Sequence, residues 1–86
     1  PGIPLRMNVK KPNKGEAFLL IKKRKKNSKN YFFLSKNNSL ANAARNLYPL
    51  IRKIKNKGYK KIAVEKIPNI GIGQTINDRL ERASRY

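Results

Sequence analysis

One stretch limits the possible folds more than any other: the unit running from Tyr31 to Val64. Tyr31–Leu34 (YFFL) is a short apolar run rich in aromatics, the composition of a strand that packs on a pleated surface. Leu40, Ala43, Ala44, Leu47, Tyr48, Ile51 and Ile54 then recur at helical spacing and build one apolar face. Ser39 is placed to cap the start of that helix and Gly58 to end it. Lys53, Lys55 and Lys57 crowd its last turn, where cations suit the helix dipole. Pro49 falls inside the pattern and predicts a kink or a second helical segment starting there. Lys61–Glu65 (KIAVE) follows as another strand. A strand, a helix and a strand joined at this length predict a right-handed crossover between parallel strands.

The flanks extend this unit. Ala17–Ile21 (AFLLI) is a continuous apolar run, as in a buried strand. Lys22–Asn30 (KKRKKNSKN) is a charged connection without an apolar residue. Ile67–Gly73 (IPNIGIG) reads as a tight turn, and the last helix is expected from about Gln74 to Arg85 with Ile76, Leu80 and Ala83 inward. The predicted order is β, β, α, β, α, an α/β domain with a mostly parallel sheet over residues 17–86. Residues 1–16 (PGIPLRMNVKKPNKGE) hold three prolines and two glycines and read as an extended linker-like arm. A start at Pro1 and not at Met suggests a fragment or a processed product.

The 86 residues include no cysteine and no histidine. Disulfide staples and thiolate metal sites are therefore excluded, and so is the usual proton shuttle near neutral pH. A small domain without staples belongs in the cytoplasm, or beside a supporting domain. No apolar run approaches the roughly 20 residues of a membrane span, and no signal-peptide pattern opens the chain. The acids are Glu16, Glu65, Asp78 and Glu81. Asp78–Arg82 and Glu81–Arg85 both have the i,i+4 spacing of surface ion pairs, which accounts for the C-terminal two without catalysis. The serines have no candidate base. These absences argue against hydrolase, metalloenzyme or acid–base chemistry carried by this chain alone, and no catalytic residue or metal ligand is predicted.

The net charge is +18, from 22 Lys and Arg against four acids. Clustered cations replace counterions around phosphates, so nucleic acid is one expected partner. A+T-rich coding sequence is the plainer source, since lysine, asparagine and isoleucine supply 35 of the 86 residues. Lysines outnumber arginines about two to one, whereas bidentate phosphate forks favour arginine. The run Lys22, Lys23, Arg24, Lys25 and Lys26, with Tyr31, Phe32 and Phe33 downstream, is the candidate RNA-binding segment; the alternative is a solvated loop between core strands. Gly71 and Gly73 open the last helix, where free backbone N–H groups can receive an anion. The plainer reading is that they let the chain turn sharply and pack the helix near the sheet.

Read as one string, Ile67–Ala83 (IPNIGIGQTINDRLERA) resembles the C-terminal signature of the two-domain threonylcarbamoyl-AMP synthases, a pattern of the form P-x-x-G-[LI]-G-x-[AT]-I-N-D-R-L-x-R-A. Amphipathic spacing explains its apolar positions but not the run Asn77, Asp78, Arg79 and Leu80. Ala43–Tyr48 (AARNLY) is similar to the family's A-A-x-N-L-F helix, and Leu34-Ser35 to its N-L-S strand end, with Phe33 in place of the asparagine. Pro1, Gly2 and Arg6 match the end of its interdomain linker, but Met7-Asn8-Val9-Lys10 stands where H-Y-A-P would be.

The resemblance implies a small Rossmann-like three-layer domain, accessory to an N-terminal YrdC-like catalytic domain. That parent would use ATP, threonine and bicarbonate to make the adenylate that feeds threonylcarbamoyl modification of tRNA, with no cofactor held by this chain. Arg6 joins Gly71 and Gly73 as a possible nucleotide or phosphate contact, and tRNA becomes a possible partner. The alternative is a stand-alone basic RNA-binding module. The two differ in charge placement: a binding module gathers Lys22–Lys26, Lys53–Lys61 and Arg79–Arg85 on one face, and a compositional bias spreads them.

Overall fold

The computed structural model describes residues 2–22, 24 and 28–85. Four strands and two helices follow in the order β1 (Leu5–Val9), β2 (Ala17–Lys22), β3 (Tyr31–Ser35), α1 (Leu40–Asn56), β4 (Ile62–Glu65) and α2 (Ile72–Arg85). The sheet is parallel throughout, with spatial order β1-β4-β2-β3. The Rossmann-like, parallel α/β arrangement expected from the sequence is present.

The expectation of an arm over residues 1–16 is corrected at its centre. Leu5–Val9 is an edge strand, with Leu5 beside Ile62 and Arg6 beside Ala63. Ile3 is buried, and Leu5 and Met7 pack on the main core. Pro4 and Pro12 lie just outside the strand, so neither removes a ladder hydrogen bond. Asn8, at φ 57°, sits where the register with β4 shifts between Arg6 and Val9. The irregularity sends Val9 to the opposite face from Met7.

α1 is one 17-residue helix that continues through Pro49, so no second segment begins there. Pro49 is exposed, and so is Arg45, whose carbonyl loses its helical donor. Ser39 caps the helix as expected, accepting from Asn42 N–H at 3.2 Å. Ser35, buried at the end of β3, accepts from Ser39 N–H at 3.0 Å and so fixes the strand-to-helix turn.

Both helices lie on one face of the sheet. Ala43, Leu47, Ile51 and Ile54 of α1, with Ile76 and Leu80 of α2, close over Leu19, Phe32, Leu34 and Val64. Phe18, Leu20 and Ala63 form a second cluster on the other face, and no helical residue joins it. Strand order explains the division. The β3-to-β4 connection runs back across the sheet, while β1-to-β2 and β2-to-β3 run forward. Right-handed crossovers of opposite direction must pass on opposite faces. The third layer expected from the sequence is therefore not helical among the described residues. Charged side chains of the connections cover it: the Arg24 guanidinium lies 5.7 Å from the Phe18 ring centroid and pairs with Glu65. No helix is long and apolar enough to cross a membrane among the described residues.

Candidate functional site

In open parallel sheets, ligands enter at the carboxyl ends of strands whose connections leave on opposite faces. β1 and β4 are such a pair. At their carboxyl ends lies a cavity of about 670 Å³, lined by Met7, Asn8, Lys66, Ile67, Asn69, Asn77 and Glu81. Asn8 reaches it from the irregularity in β1, and Asn77 from the first half of α2. The lining offers amides, one ammonium and one carboxylate, suited to hydrogen bonding and orientation. Serine and a candidate base do not meet in it.

The signature residues separate into different duties. Asn77 Nδ2 donates to Ile67 O at 3.0 Å and to Asn69 Oδ1 at 3.2 Å, holding the turn before α2 in place. Its Oδ1 is buried with no hydrogen-bond partner among the described residues. Arg79 donates to Ala44 O at 3.4 Å and so ties α2 to α1. Asp78 is exposed and makes no ion pair with Arg82 among the described residues, whereas Glu81 and Arg85 pair at 3.1 Å.

The two glycines also divide. Gly71 has φ 55°, a backbone angle that L side chains rarely adopt, with open space around it. A Cβ on Gly73 would stand 1.9 Å from the Pro68 carbonyl oxygen, so close approach of chain to chain requires glycine there. Gly73 N–H and Gln74 N–H already donate to Ile70 O and Gly71 O. Exposed Ile70 and Ile72 flank the turn.

Arg6 stands away from these glycines. It sits beside Ala63 on the helix-free face, where its Nε and Nη2 donate to Glu16 at 3.1 and 2.8 Å. Glu16 is 4% exposed and also accepts from Asn13 N–H at 2.6 Å. The hydrogen bond to Arg6 holds the Glu16 carboxyl below the usual carboxylate range; burial opposes this, and Asn13 and the charges of Arg6 and Lys61 add to it. The same bond raises Arg6. A carboxyl that titrates lower when folded adds stability above its unfolded value of about 4.3, and the gain is lost as pH falls through the folded value. The melting midpoint is expected to drop below about pH 4.3, and Glu16→Gln should remove that part of the decline. Midpoint-against-pH curves of the two proteins that run parallel through the acid range would refute the assignment.

The charge is spread over both sides of the sheet. Lys22 ends β2 and Arg24 follows it on the helix-free face; Lys53, Arg79 and Arg82 belong to the helical layer. Lys23, Lys25 and Lys26 lie outside the described residues. Residues missed in the sequence were Glu16, Asn8 and Tyr48. No spacing rule finds the Arg6–Glu16 pair, and an asparagine at positive φ has only its type as a signal. Tyr48 was assigned to the inward face, yet it is 41% exposed.

Residues 5–85 match the family described as threonylcarbamoyl-AMP synthase, C-terminal domain. No curated protein and no solved structure matches the chain.

Proposed function

The chain belongs to the threonylcarbamoyl-AMP synthase C-terminal domain family, and from that premise we propose that it is the accessory domain of an ATP-dependent L-threonylcarbamoyladenylate synthase acting in tRNA threonylcarbamoyladenosine modification. The family is a non-catalytic part of an enzyme. In this reading a YrdC-like catalytic domain outside these 86 residues binds ATP, threonine and bicarbonate and performs the adenylation.

The match over residues 5–85 carries the reading. The chemistry of the residues supports it. Glu16, Glu65 and Glu81 are each engaged by an arginine, which leaves Asp78 as the acid without an ion pair among the described residues. With no histidine or cysteine in the sequence, no base stands ready to activate a carbamate or a threonine amine. What this domain contributes is a rigid parallel sheet whose carboxyl-end crevice can meet the catalytic domain or its nucleotide.

The test is threonylcarbamoyl-AMP formation from threonine, bicarbonate and ATP. The chain alone should give none, and its addition to the cognate catalytic domain should change that domain's turnover or thermal stability. Turnover by the chain alone, free of contaminating enzyme, would overturn the proposal; so would a catalytic domain indifferent to its presence.

A further inference from the structure

The arginines are not distributed as the lysines are. Of the seven arginines, Arg6, Arg24 and Arg85 are paired with Glu16, Glu65 and Glu81. Of the other four, Arg52, Arg79 and Arg82 flank one seam, the line where α1 meets α2. A groove of about 310 Å³ opens there, lined by Tyr48, Ile51, Arg52, Lys55, Arg82 and Ala83. Arg79 anchors the seam through Ala44 O. Arg45 shares the stripe of Tyr48 and Arg52 on α1 by its i+3 and i+7 spacing.

Among the described residues no acid lines the groove. None of the ion pairs among the described residues involves Arg52 or Arg82. Along α2 the nearby acids are Glu81, which directly precedes Arg82 and pairs with Arg85, and Asp78, one turn before it. Codon bias toward lysine does not account for arginines gathered around an exposed aromatic ring. Two guanidinium forks beside a ring of which 41% of the residue is exposed offer what a single nucleic-acid strand requires: planar donors for phosphate and a π-face for a base. Paired bases keep their faces stacked on one another, so a duplex could use only the charges.

We propose that the groove between α1 and α2 binds a single-stranded segment of RNA, with one unstacked base on Tyr48 and adjacent phosphates held by Arg52 and Arg82. The choice of RNA over DNA rests on the function proposed above; the groove itself does not. This relocates the nucleic-acid contact from the Lys22–Lys26 run to the helical layer.

The test is a fluorescence-anisotropy titration of the chain with a labelled single-stranded RNA, a duplex RNA of equal charge, and a single-stranded DNA of the same sequence. A salt series is run for each, with polyglutamate as a competitor. Single-stranded RNA should bind more tightly than duplex at every salt concentration. Tyr48→Leu, which keeps an apolar side chain but no π-face, should weaken binding about tenfold, and Tyr48→Phe should stay within about twofold. Arg52→Ala and Arg82→Ala should each lower the slope of log affinity against log salt by about 0.7. Thermal melts confirm that each variant is folded, and the two arginine variants alter exposed positions only. A Tyr48→Leu curve that superimposes on the parent, or equal affinity for duplex and single strand, would overturn the proposal. Equal competition by polyglutamate would do the same, assigning the seam to an acidic protein instead. Tighter binding of DNA than of RNA would overturn the choice of RNA. The titration contains no catalytic domain, threonine or ATP, so its failure and the failure of the synthase reading are separate results.

Discussion

Leu80→Ala is expected to lower the melting midpoint by about 8–40 °C. Leu80 is fully buried on α2, in the cluster that joins both helices to the sheet. Truncating a buried leucine costs about 2–5 kcal/mol, partly for the lost transfer energy and partly for the cavity left behind. In a domain of this size each kcal/mol moves the midpoint by about 4–8 °C. The seam can relax little around the gap, because Arg79 binds the α1 backbone one position before Leu80 and Ile76 fills the next turn down. Lys14→Ala, at an exposed loop position, should change stability by less than about 0.5 kcal/mol. Scanning calorimetry of the two variants decides the matter: equal midpoints would mean that α2 does not bury this face.

Pro49→Ala is expected to act in the opposite direction. Proline in a helix interior costs about 3 kcal/mol relative to alanine, since it removes one hydrogen bond and crowds the preceding turn. Part of this is offset in the native protein, because proline restricts the unfolded chain by about 0.4–1 kcal/mol. A net gain of about 2 kcal/mol is expected. Pro49 is exposed and borders only a shallow surface hollow with Phe33, Asn46, Leu50 and Lys53, so little packing is lost with the ring. Urea midpoints measure the gain. A less stable variant would show that the ring's contacts beside β3 outweigh the missing hydrogen bond.

The legible parts of the fold were those with local patterns. Three strands are continuous apolar runs because a parallel sheet buries both faces, and both helices repeat at 3.6 residues. β1 was not legible. Arg6 and Asn8 interrupt its apolar residues, prolines bracket it, and its partner strand lies far along the chain. Helix existence was readable through Pro49, but its continuity was not, since the energetic cost depends on whether the freed carbonyl meets solvent. The site was less legible than the fold. The signature residues Asn77 and Arg79 serve contacts to Ile67 and Ala44 that spacing alone does not indicate. The two glycines were readable together as a sharp turn and a close packing, and only the structure assigns the turn to Gly71 and the close approach to Gly73. The arginine seam arises from two helices meeting, and single-sequence periodicity describes each helix alone.

The place of β4 between β1 and β2 bears on the order in which the chain can fold as it is synthesised. β1 is synthesised before the other strands of this sheet, but its sheet partner begins about 57 positions later, since Leu5 pairs with Ile62. At about 5–20 residues per second, β1 waits about 3–11 s for β4 to be made. During that wait the Arg6–Glu16 pair spans ten positions and can form at once, holding β1 near the start of β2 with a strand-wide slot between them. β4 is then the closing piece, and until it arrives the slot presents two unpaired edges to any other extended chain. The nascent domain is therefore most exposed to mispairing late, just before its fourth strand emerges.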